Sequence, residues 1–305
     1  MFTRCLAWYP VTVSLLYFQV FREEISFSLE HIEKVRYILE MTQTKRILIR
    51  GGGDLASGVA AVMHRAGWQV VICELPEPLV VRRKVAFAEA IWEGNVQVEE
   101  IEGVLVDDLK DLENYLESRK VVVLVDPDMK VLETLNFDCV VDARMLKRFE
   151  ANPFDGKVPL IGLGPGFVAG VNCNAVIETN RGPELGKVIW DGAAEADTGK
   201  PGIVEGRGLE RVLYSEGNGK LITYAEIGDF VSEGQVIAEV EDRAVRAPFD
   251  GVLRGMARPG LVVNNGVKIG DVEPRMDVNL CYQISDKALV VGEAVLEALN
   301  QILSE

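Results

Sequence analysis

Histidine and paired cysteines are scarce in this chain. It has two histidines, and its five cysteines form no CxxC pair. The scattered cysteines disfavour a disulfide framework and a sequence-local zinc site. His31 falls in an atypical N-terminal segment, and His64 lies beside Arg65 on a predicted helix surface. Neither is expected to serve a Ser-His-Asp triad or a histidine-rich metal site, which excludes most hydrolases and metalloenzymes.

Positive charge is also in short supply. The 305 residues carry 32 Lys and Arg against 47 Asp and Glu, a net charge of −15. Sequence-independent nucleic-acid binding depends on basic side chains that neutralise phosphates, so no nucleic-acid partner is expected. Hydrophobic residues make up 48% of the chain, as in a folded protein, and the length favours about two domains. We expect a cytoplasmic protein that handles small molecules or protein partners.

The N-terminal segment differs in composition from the rest. Residues 1–50 contain neither Gly nor Asp, and 8 of the 22 aromatic residues lie in residues 1–40. The apolar stretch 6–20 is shorter than the roughly 20 residues that a membrane span needs, and Pro10 interrupts it. We therefore expect no membrane association, a functional start at Met41, and a misassigned upstream translation in residues 1–40. A genuine extension is the main alternative, ahead of an anchor or a signal.

A Rossmann-like α/β domain is predicted over residues 41–155. The β-branched run at 46–50 ends in three glycines, and a helical pattern follows from Asp54 to the stop at Gly67. Gly51, Gly53 and Ala56 satisfy the G-x-G-x-x-G/A dinucleotide pattern, in which the glycines allow a tight turn and the close approach of a pyrophosphate. Further apolar runs at 69–73, 103–106, 121–125, 139–141 and 159–162 predict parallel strands, with a charged helix near 108–118.

Several polar residues of this domain have two interpretations. Asp54 is an N-cap candidate, although its charge would oppose a pyrophosphate. Glu74 ends the second strand 18 residues after Ala56, where it would bind a ribose hydroxyl or stay a solvated carboxylate. Arg82 and Arg83 would bind a phosphate or form a solvated face. The segments 126–128 and 142–144 end two strands, where they serve either as turns and caps or as site residues.

Glycine is concentrated in the middle of the chain, where residues 156–270 hold 21 of the 29 glycines. We assign residues 156–205 to a glycine-rich segment that completes or links the first domain. Its densest part, residues 162–170, includes Gly164 and Gly166 and favours either an anion-binding nest or tight turns between short strands.

Several segments together resemble the accessory proteins of selenium-dependent molybdenum hydroxylases, relatives of the nucleotide-binding half of xanthine dehydrogenase maturation factors. The resemblance covers about residues 41–305 and is carried by GGGDLASG (51–58), GLGPGFVAG (162–170), AVIETNRGPELGKV (175–188), TGKPG (198–202), KIGDVEPR (268–275) and ISDKALVVGEAVLEA (284–298).

The resemblance implies a role in maturing a molybdenum hydroxylase, by handling molybdenum cofactor or its selenium or sulfur ligand. It implies as partners the hydroxylase itself or another cofactor-maturation protein. Arg181 would complete the site with the GLGPG segment. A histidine is expected after Arg181-Gly182, but this chain has Pro183, which puts any catalytic role of that position in doubt.

A small β module with a C-terminal helix is predicted over residues 206–305. Strand-like runs at 211–214, 220–225, 236–240, 251–255 and 261–263 form two similar halves that resemble a degenerate biotinyl/lipoyl carrier fold. That family carries its cofactor on a hairpin lysine, and residues 241–246 contain no Lys. We therefore expect no covalent biotin or lipoate, and a docking or structural role. An amphipathic helix at 287–303 is expected to pack back on the core.

Catalytic candidates are few. A chalcogen-transfer reaction would need an accessible thiolate, and Cys173 in the glycine-rich motif is the best placed, although a free cysteine is often simply buried. Lys287 is a weaker candidate. The favoured hypothesis is a maturation factor that binds a nucleotide-bearing molybdenum cofactor or a related phosphate ligand. The alternatives are an NAD(P)-dependent oxidoreductase, which would rely on Lys287 or Asp126, and a non-catalytic Rossmann-like scaffold. No metal ligands are assigned.

Overall fold

The computed structural model describes residues 45–151, 157–197, 199 and 202–304. The expectation that Met41 starts the functional protein lies outside these residues. The described chain is a mixed α/β protein, with a large, mostly parallel sheet followed by two smaller antiparallel sheets. The α/β prediction is confirmed at this level. Among the described helices, none combines the length and hydropathy needed to cross a bilayer.

The first half contains eleven strands and three α-helices. In chain order the strands are β1 (Arg46–Arg50), β2 (Gln69–Glu74), β3 (Asn95–Val98), β4 (Ile101–Leu105), β5 (Val121–Val125), β6 (Cys139–Asp142), β7 (Leu160–Leu163), β8 (Val168–Ala169), β9 (Ala175–Ile177), β10 (Val188–Ile189) and β11 (Gly192–Ala193). The helices are α1 (Asp54–Arg65), α2 (Ala90–Glu93) and α3 (Leu112–Glu117), with single 3₁₀ turns at Arg83–Val85, Phe87–Glu89 and Lys130–Glu133.

Nine of these strands form one sheet in the order β10-β9-β7-β6-β1-β2-β5-β4-β3. All neighbours are parallel except the two edge pairs, β3 with β4 and β9 with β10. After β1 and β2 the chain crosses to the sheet edge at β3, returns inward through β4 and β5, and then places β6 on the other side of β1. The strand order therefore reverses between β1 and β6, which is where ligands bind in open α/β sheets.

The large sheet is buried on both faces. In β1, Ile47 and Ile49 pack into one apolar cluster with α1, while Leu48 packs into a second cluster with Leu112 and Leu116 of α3. Continuous burial explains why the strands appear in the sequence as unbroken apolar runs. The helix predicted at 108–118 is shorter than expected, since α3 spans only Leu112–Glu117.

The second half is built from two four-stranded antiparallel sheets, β12-β19-β17-β14 and β16-β15-β13-β18, packed on a shared apolar core. Its strands are β12 (Val212–Tyr214), β13 (Gly219–Thr223), β14 (Phe230–Val231), β15 (Val236–Val240), β16 (Arg243–Arg246), β17 (Gly251–Met256), β18 (Val262–Val263) and β19 (Lys268–Glu273). Single 3₁₀ turns lie at Leu209–Arg211 and Val278–Cys281.

The C-terminal helix α4 (Asp286–Ile302) packs against the large sheet's half and not against the β module that precedes it. Ser285 caps its start by accepting a hydrogen bond from the Ala288 amide at 3.2 Å. A β-carbon at Gly58 of α1 would lie 2.5 Å from the Ala288 β-carbon. Gly292 of α4 in turn lies against Val62 of α1. Helices α1 and α4 therefore point in the same direction and are in close contact at these two glycines.

We predict that Gly58→Ala destabilises the protein by at least about 2 kcal/mol in urea unfolding, because the methyl group overlaps Ala288. Alanine is otherwise the better helix former by roughly 0.5–1 kcal/mol. Gly53→Ala is the control, since a β-carbon there meets no atom within 4 Å. Equal stabilities of the two variants would contradict the close crossing.

The hairpin between β15 and β16 is tighter than the sequence predicted. Its tip is only Glu241 and Asp242, both with positive φ (51° and 60°), and Arg243–Arg246 is a strand instead of part of the tip. Positive φ at both central residues is the geometry of a type I′ turn. The tip offers two carboxylates and no amine that could be acylated.

We therefore predict that the protein carries no covalent biotin or lipoyl group. Intact mass spectrometry of the chain purified from its native host should give the unmodified mass. A mass increase that matches biotin or lipoate would contradict this prediction.

Candidate ligand-binding site

A pocket of about 700 Å³ opens at the carboxyl ends of the central strands. It lies at the reversal of strand order between β1 and β6, with β2 and the residues after β5 completing its wall. Its lining consists of residues 50–51, 53–56, 73–75, 78–80, 127–128 and 143–145. Five residues predicted from the sequence thus meet here: Gly51, Gly53, Asp54, Ala56 and Glu74.

The glycine loop is held firmly by its surroundings. Gly51 has a φ of +95°, which favours glycine, and its amide donates to the Cys73 carbonyl at 2.8 Å. A β-carbon at Gly52 would lie 3.0 Å from the Ala88 amide nitrogen. The Ser57 hydroxyl donates to the Gly52 carbonyl at 3.1 Å and accepts from the Phe87 amide at 2.9 Å. The loop is therefore fixed before any ligand arrives.

The start of α1 lacks a side-chain cap, because its N-cap residue is Gly53. The first amides of a helix have no intrahelical acceptor, and the helix dipole adds positive potential there. Asp54, Leu55 and Ala56, which form the first turn, all line the pocket. Since a β-carbon on Gly53 would meet nothing, a ligand can approach the backbone closely at this point. The arrangement suits an anion such as a phosphate.

The negative charge of Asp54 is balanced by a buried arginine. Arg82, 6% exposed, donates from Nη1 to Asp54 Oδ1 at 3.0 Å. Its Nη2 donates to the carbonyls of Leu280 and Gln283 at 3.0 and 2.8 Å. The ion pair offsets the repulsion that Asp54 would exert on a phosphate. Of the two sequence interpretations of Arg82, the solvated face is wrong, because the side chain is buried between the two halves.

Arg83 also links the two halves. Its Nε donates to the Met256 carbonyl at 2.8 Å, and its Nη1 donates to Glu89 at 3.2 Å. Arg83 is therefore a structural contact, and a solvated face is wrong here too.

Glu74 fixes the glycine loop through its carboxylate. Its Oε1 accepts from the Gly52 amide at 2.8 Å, and its Oε2 accepts from the Leu75 amide at 2.5 Å. The residue is buried yet lines the pocket. A carboxylate has about four acceptor positions, so both oxygens retain lone pairs for a hydroxyl group. Binding of a ribose hydroxyl by Glu74 stays a prediction.

Two arginines, Arg50 and Arg144, line the pocket; Arg144 belongs to the segment 142–144, for which the sequence left a turn or cap and a site residue open, whereas Arg50 was not singled out. Arg50 ends β1, Arg144 follows β6, and the buried Asp142 lies between them. Asp142 accepts from Arg144 Nε at 2.9 Å and from Arg144 Nη2 at 2.7 Å, and its Oδ2 is 3.6 Å from Arg50 Nη1. The pairing of this segment with Arg50 could not be predicted from the sequence, because it depends on the neighbouring strands of the sheet.

Three predicted ligand-binding residues lie outside the pocket lining. Gly164, with a φ of +82°, packs beside Thr179 and Met145, and a β-carbon at Gly166 would overlap Leu146. Gly164 therefore lies behind Met145, which lines the pocket, and Gly166 packs against Leu146 outside the lining. Arg181 donates from both terminal nitrogens to Asp286 at 2.8 Å, at the start of α4. The geometry therefore does not support direct contact between these three residues and a ligand in this pocket.

The two catalytic candidates also lie outside the pocket lining. Cys173 is 6% exposed, and burial raises the pKa of its thiol to about 11. Lys287 is half-buried, and burial together with the charge of Arg181 lowers the pKa of its amine. Cys73 does line the pocket, but burial and the nearby Asp126 carboxylate raise its pKa strongly. The raised pKa values of the two thiols, Cys73 and Cys173, disfavour a thiolate at neutral pH.

The amino-acid sequence of the chain is similar to that of a known protein. It is 40% identical over 259 residues to the uncharacterized protein YqeB of Escherichia coli strain K12, a match that covers 85% of this chain and 48% of YqeB. The chain thus spans about half the length of that relative. No protein-family profile matches it.

Among solved structures, two similar chains have low identity. The product-bound ectoine utilization protein EutE of Ruegeria pomeroyi is 12% identical, with 83% of this chain and 65% of that chain covered and a TM-score of 0.20. An aspartoacylase family protein of Mesorhizobium loti is 13% identical, with 75% and 85% covered and a TM-score of 0.25. At these TM-scores the similarity carries no argument about this chain.

We predict that Cys173 resists alkylation in the folded protein. With a pKa of about 11, only about one thiol in a thousand is ionised at pH 8, and burial blocks the reagent as well. Peptide mass spectrometry after iodoacetamide treatment should find Cys173 unmodified in the native protein and modified after unfolding in guanidinium chloride. Rapid labelling of native Cys173 would restore it as a nucleophile.

Proposed function

We propose that the protein is an accessory factor in the maturation of a selenium-dependent molybdenum hydroxylase. In this proposal it is cytoplasmic, and it binds a nucleotide-bearing molybdenum cofactor or a related phosphate ligand in the pocket at the ends of β1 and β6. It would deliver that ligand to the hydroxylase or to another cofactor-maturation protein. The ordered set of motifs described above supports the family assignment, and the pocket supports the ligand class.

One observation supports the ligand class most strongly. Helix α1 starts without a side-chain cap at Gly53, whose surroundings are open, at the point where the strand order reverses. Gly53 leaves room for a ligand, and the first-turn amides of α1 are positioned to donate to it. The finer classification of the first half as a Rossmann-like domain rests on the same glycine loop and on the strand order. A phosphate group is the ligand part that this geometry favours most.

The rest of the pocket suits an organic ring better than a bare metal ion. Leu75, Pro78, Leu79 and Met145 line the pocket with apolar side chains. Leu75 and Leu79 are half exposed, as expected for apolar side chains that await a partner. Burial and the Asp126 carboxylate raise the pKa of the Cys73 thiol, so we assign binding to the phosphate and the ring of the cofactor.

The residues that would hold such a cofactor are those of the pocket itself. Gly53 and the first turn of α1 would bind its phosphate, and the apolar wall would pack against its ring. When bound, the cofactor supplies molybdenum for the partner enzyme. Within this protein the residues bind and orient the ligand, and the proposal assigns them no bond-making step.

The β module is proposed to be a docking element with a degenerate biotinyl/lipoyl-like fold. Its two four-stranded sheets and its tight β15–β16 hairpin support that classification. The hairpin tip carries Glu241 and Asp242 in place of an acylated lysine. A partner protein is therefore the ligand that we assign to this module.

An NAD(P)-dependent oxidoreductase is less well supported by the geometry. Such an enzyme needs an acid or base near the reacting carbon, and Lys287 does not line the pocket. Asp126, the other candidate, accepts from the Val131 amide at 2.9 Å and lies beside the Cys73 thiol. We therefore favour ligand binding over hydride transfer.

We predict that Gly53→Asp weakens the binding of every phosphate ligand at least tenfold, while the fold is kept. Aspartate is a good N-cap and meets no atom at this position, but its carboxylate occupies the place of the anion. Gly53→Asn is the matched control, since it has the same shape and capping ability without the charge. Thermal shifts with NAD, NADP, CTP, GTP and isolated molybdenum cofactor measure the effect.

The comparison of the two variants separates charge from volume. Loss of binding in Gly53→Asp, with binding in Gly53→Asn retained at least in part, supports an anion at the helix start. Ligand-induced shifts that stay unchanged in Gly53→Asp would refute the assignment of the pocket.

A further inference from the structure

A second cationic group lies directly beside the glycine loop. Arg50 and Arg144 line the pocket, and their side chains are 19% and 28% exposed. Both flank Asp142, whose side chain is 4% exposed. Two partly accessible guanidinium groups thus share one buried carboxylate, and the second carboxylate on Arg144, that of Glu150, is 52% exposed, so water screens its charge.

Backbone contacts fix the position of this arginine pair. Arg50 and Asp142 are register partners in the β1–β6 ladder, and the Ala143 amide donates to the Arg50 carbonyl at 2.9 Å. Arg50 also donates from Nη2 to the Pro127 carbonyl at 3.1 Å. Arg144 is held by two nitrogens on Asp142 and by Glu150 at 2.9 Å. The guanidinium groups are therefore oriented in advance and lose little side-chain freedom when they bind.

The acidic residues that line the pocket are paired, held by backbone amides or exposed. Asp54 is paired with Arg82, and the Glu74 carboxylate accepts two backbone amides. Asp128 also lines the pocket, but its side chain is 72% exposed, so water screens its charge. Arg50 and Arg144 are the cationic side chains among the residues that line the pocket.

The arginine pair and the glycine loop are immediate neighbours. A β-carbon at Gly51 would lie 3.6 Å from the Ala143 carbonyl carbon and 3.7 Å from the Arg144 amide nitrogen. A group bound at the start of α1 and a group bound by the arginines would thus lie side by side. Adjacent phosphoryl groups of one diphosphate have this relation.

We propose that Arg50 and Arg144, braced by Asp142, form a second anion subsite, so that the ligand presents a diphosphate and not a single phosphate. The inference rests on the proposed phosphate site at the start of α1 and names the ligand class more closely. One phosphoryl group binds the first-turn amides, and the second binds the two guanidinium groups. Asp142 engages Nε and Nη2 of Arg144, so the second phosphoryl group would take the other donors of the two guanidinium groups.

The test compares inorganic pyrophosphate with inorganic phosphate by calorimetry, so that no base or pterin is involved. The wild-type chain should bind pyrophosphate at least tenfold more tightly than phosphate. Arg144→Met should reduce this preference to threefold or less. Arg148→Met is the matched control, since this neighbouring arginine is exposed and does not line the pocket, and it should keep the wild-type preference.

A further variant guards against simple loss of structure. Arg144→Lys keeps a positive charge beside Asp142 but removes the planar fork, so we expect an intermediate preference. Retained phosphate binding in the Arg144 variants shows that the glycine loop is intact. A wild-type preference for pyrophosphate in Arg144→Met would overturn the second subsite.

The outcomes also distinguish this inference from the proposed function. If Gly53→Asp abolishes phosphate binding while Arg144→Met leaves the preference unchanged, only the second subsite falls. If Gly53→Asp has no effect while Arg144→Met removes the preference, the phosphate site at α1 falls and the arginine subsite stands. If neither anion binds the wild-type chain, both are overturned.

Discussion

The ion pair between the buried Arg82 and the half-buried Asp54 connects three segments of the chain beside the pocket. Asp54 is the first residue of α1, and Arg82 also donates to carbonyls of the segment between β19 and α4. Loss of Asp54 would leave the buried Arg82 guanidinium without its counter-charge and would therefore destabilise this arrangement. The glycine loop, the segment after β2 and the C-terminal segment are therefore held in one arrangement. The same pair makes an acidic residue compatible with an anion site.

Sequence patterns predicted the elements that are stabilised by continuous burial or by local turn chemistry. The runs at 46–50 and 121–125 are β1 and β5 without shift, and Gly67, with a φ of +91°, follows the end of α1 as expected. The charged helix at 108–118 was predicted too long, because only Leu112 and Leu116 face the core and anchor it. Short strands such as β14 and β18 depend on partners far away in sequence, so local pattern could not place them with accuracy.

In the candidate site, too, residues that are close in sequence were predicted, whereas residues that only the sheet brings together were not. Gly51, Gly53, Asp54 and Ala56 lie within six residues, and a single turn from strand to helix brings them together. Arg50 and Arg144 meet only because β1 and β6 are neighbours in the sheet, which no local motif shows. Arg181 looked like a site residue because of its motif, yet its guanidinium is engaged by Asp286, 105 residues away. Motif membership identified the loop, whereas tertiary pairing decided the charges around it.

The net charge of the chain limits the kind of anion that the pocket can bind. A chain with a net charge of −15 repels anions at long range, so attraction must come from donors within a few ångströms of the ligand. At physiological salt the Debye length is about 8 Å, which screens most of the distant carboxylates but leaves contacts inside the pocket strong. An extended polyanion would meet the acidic surface along its whole length, whereas a compact phosphate ester meets only the helix start and the two arginines. The acidic surface is therefore expected to disfavour nucleic acid and to leave the proposed site to small anions.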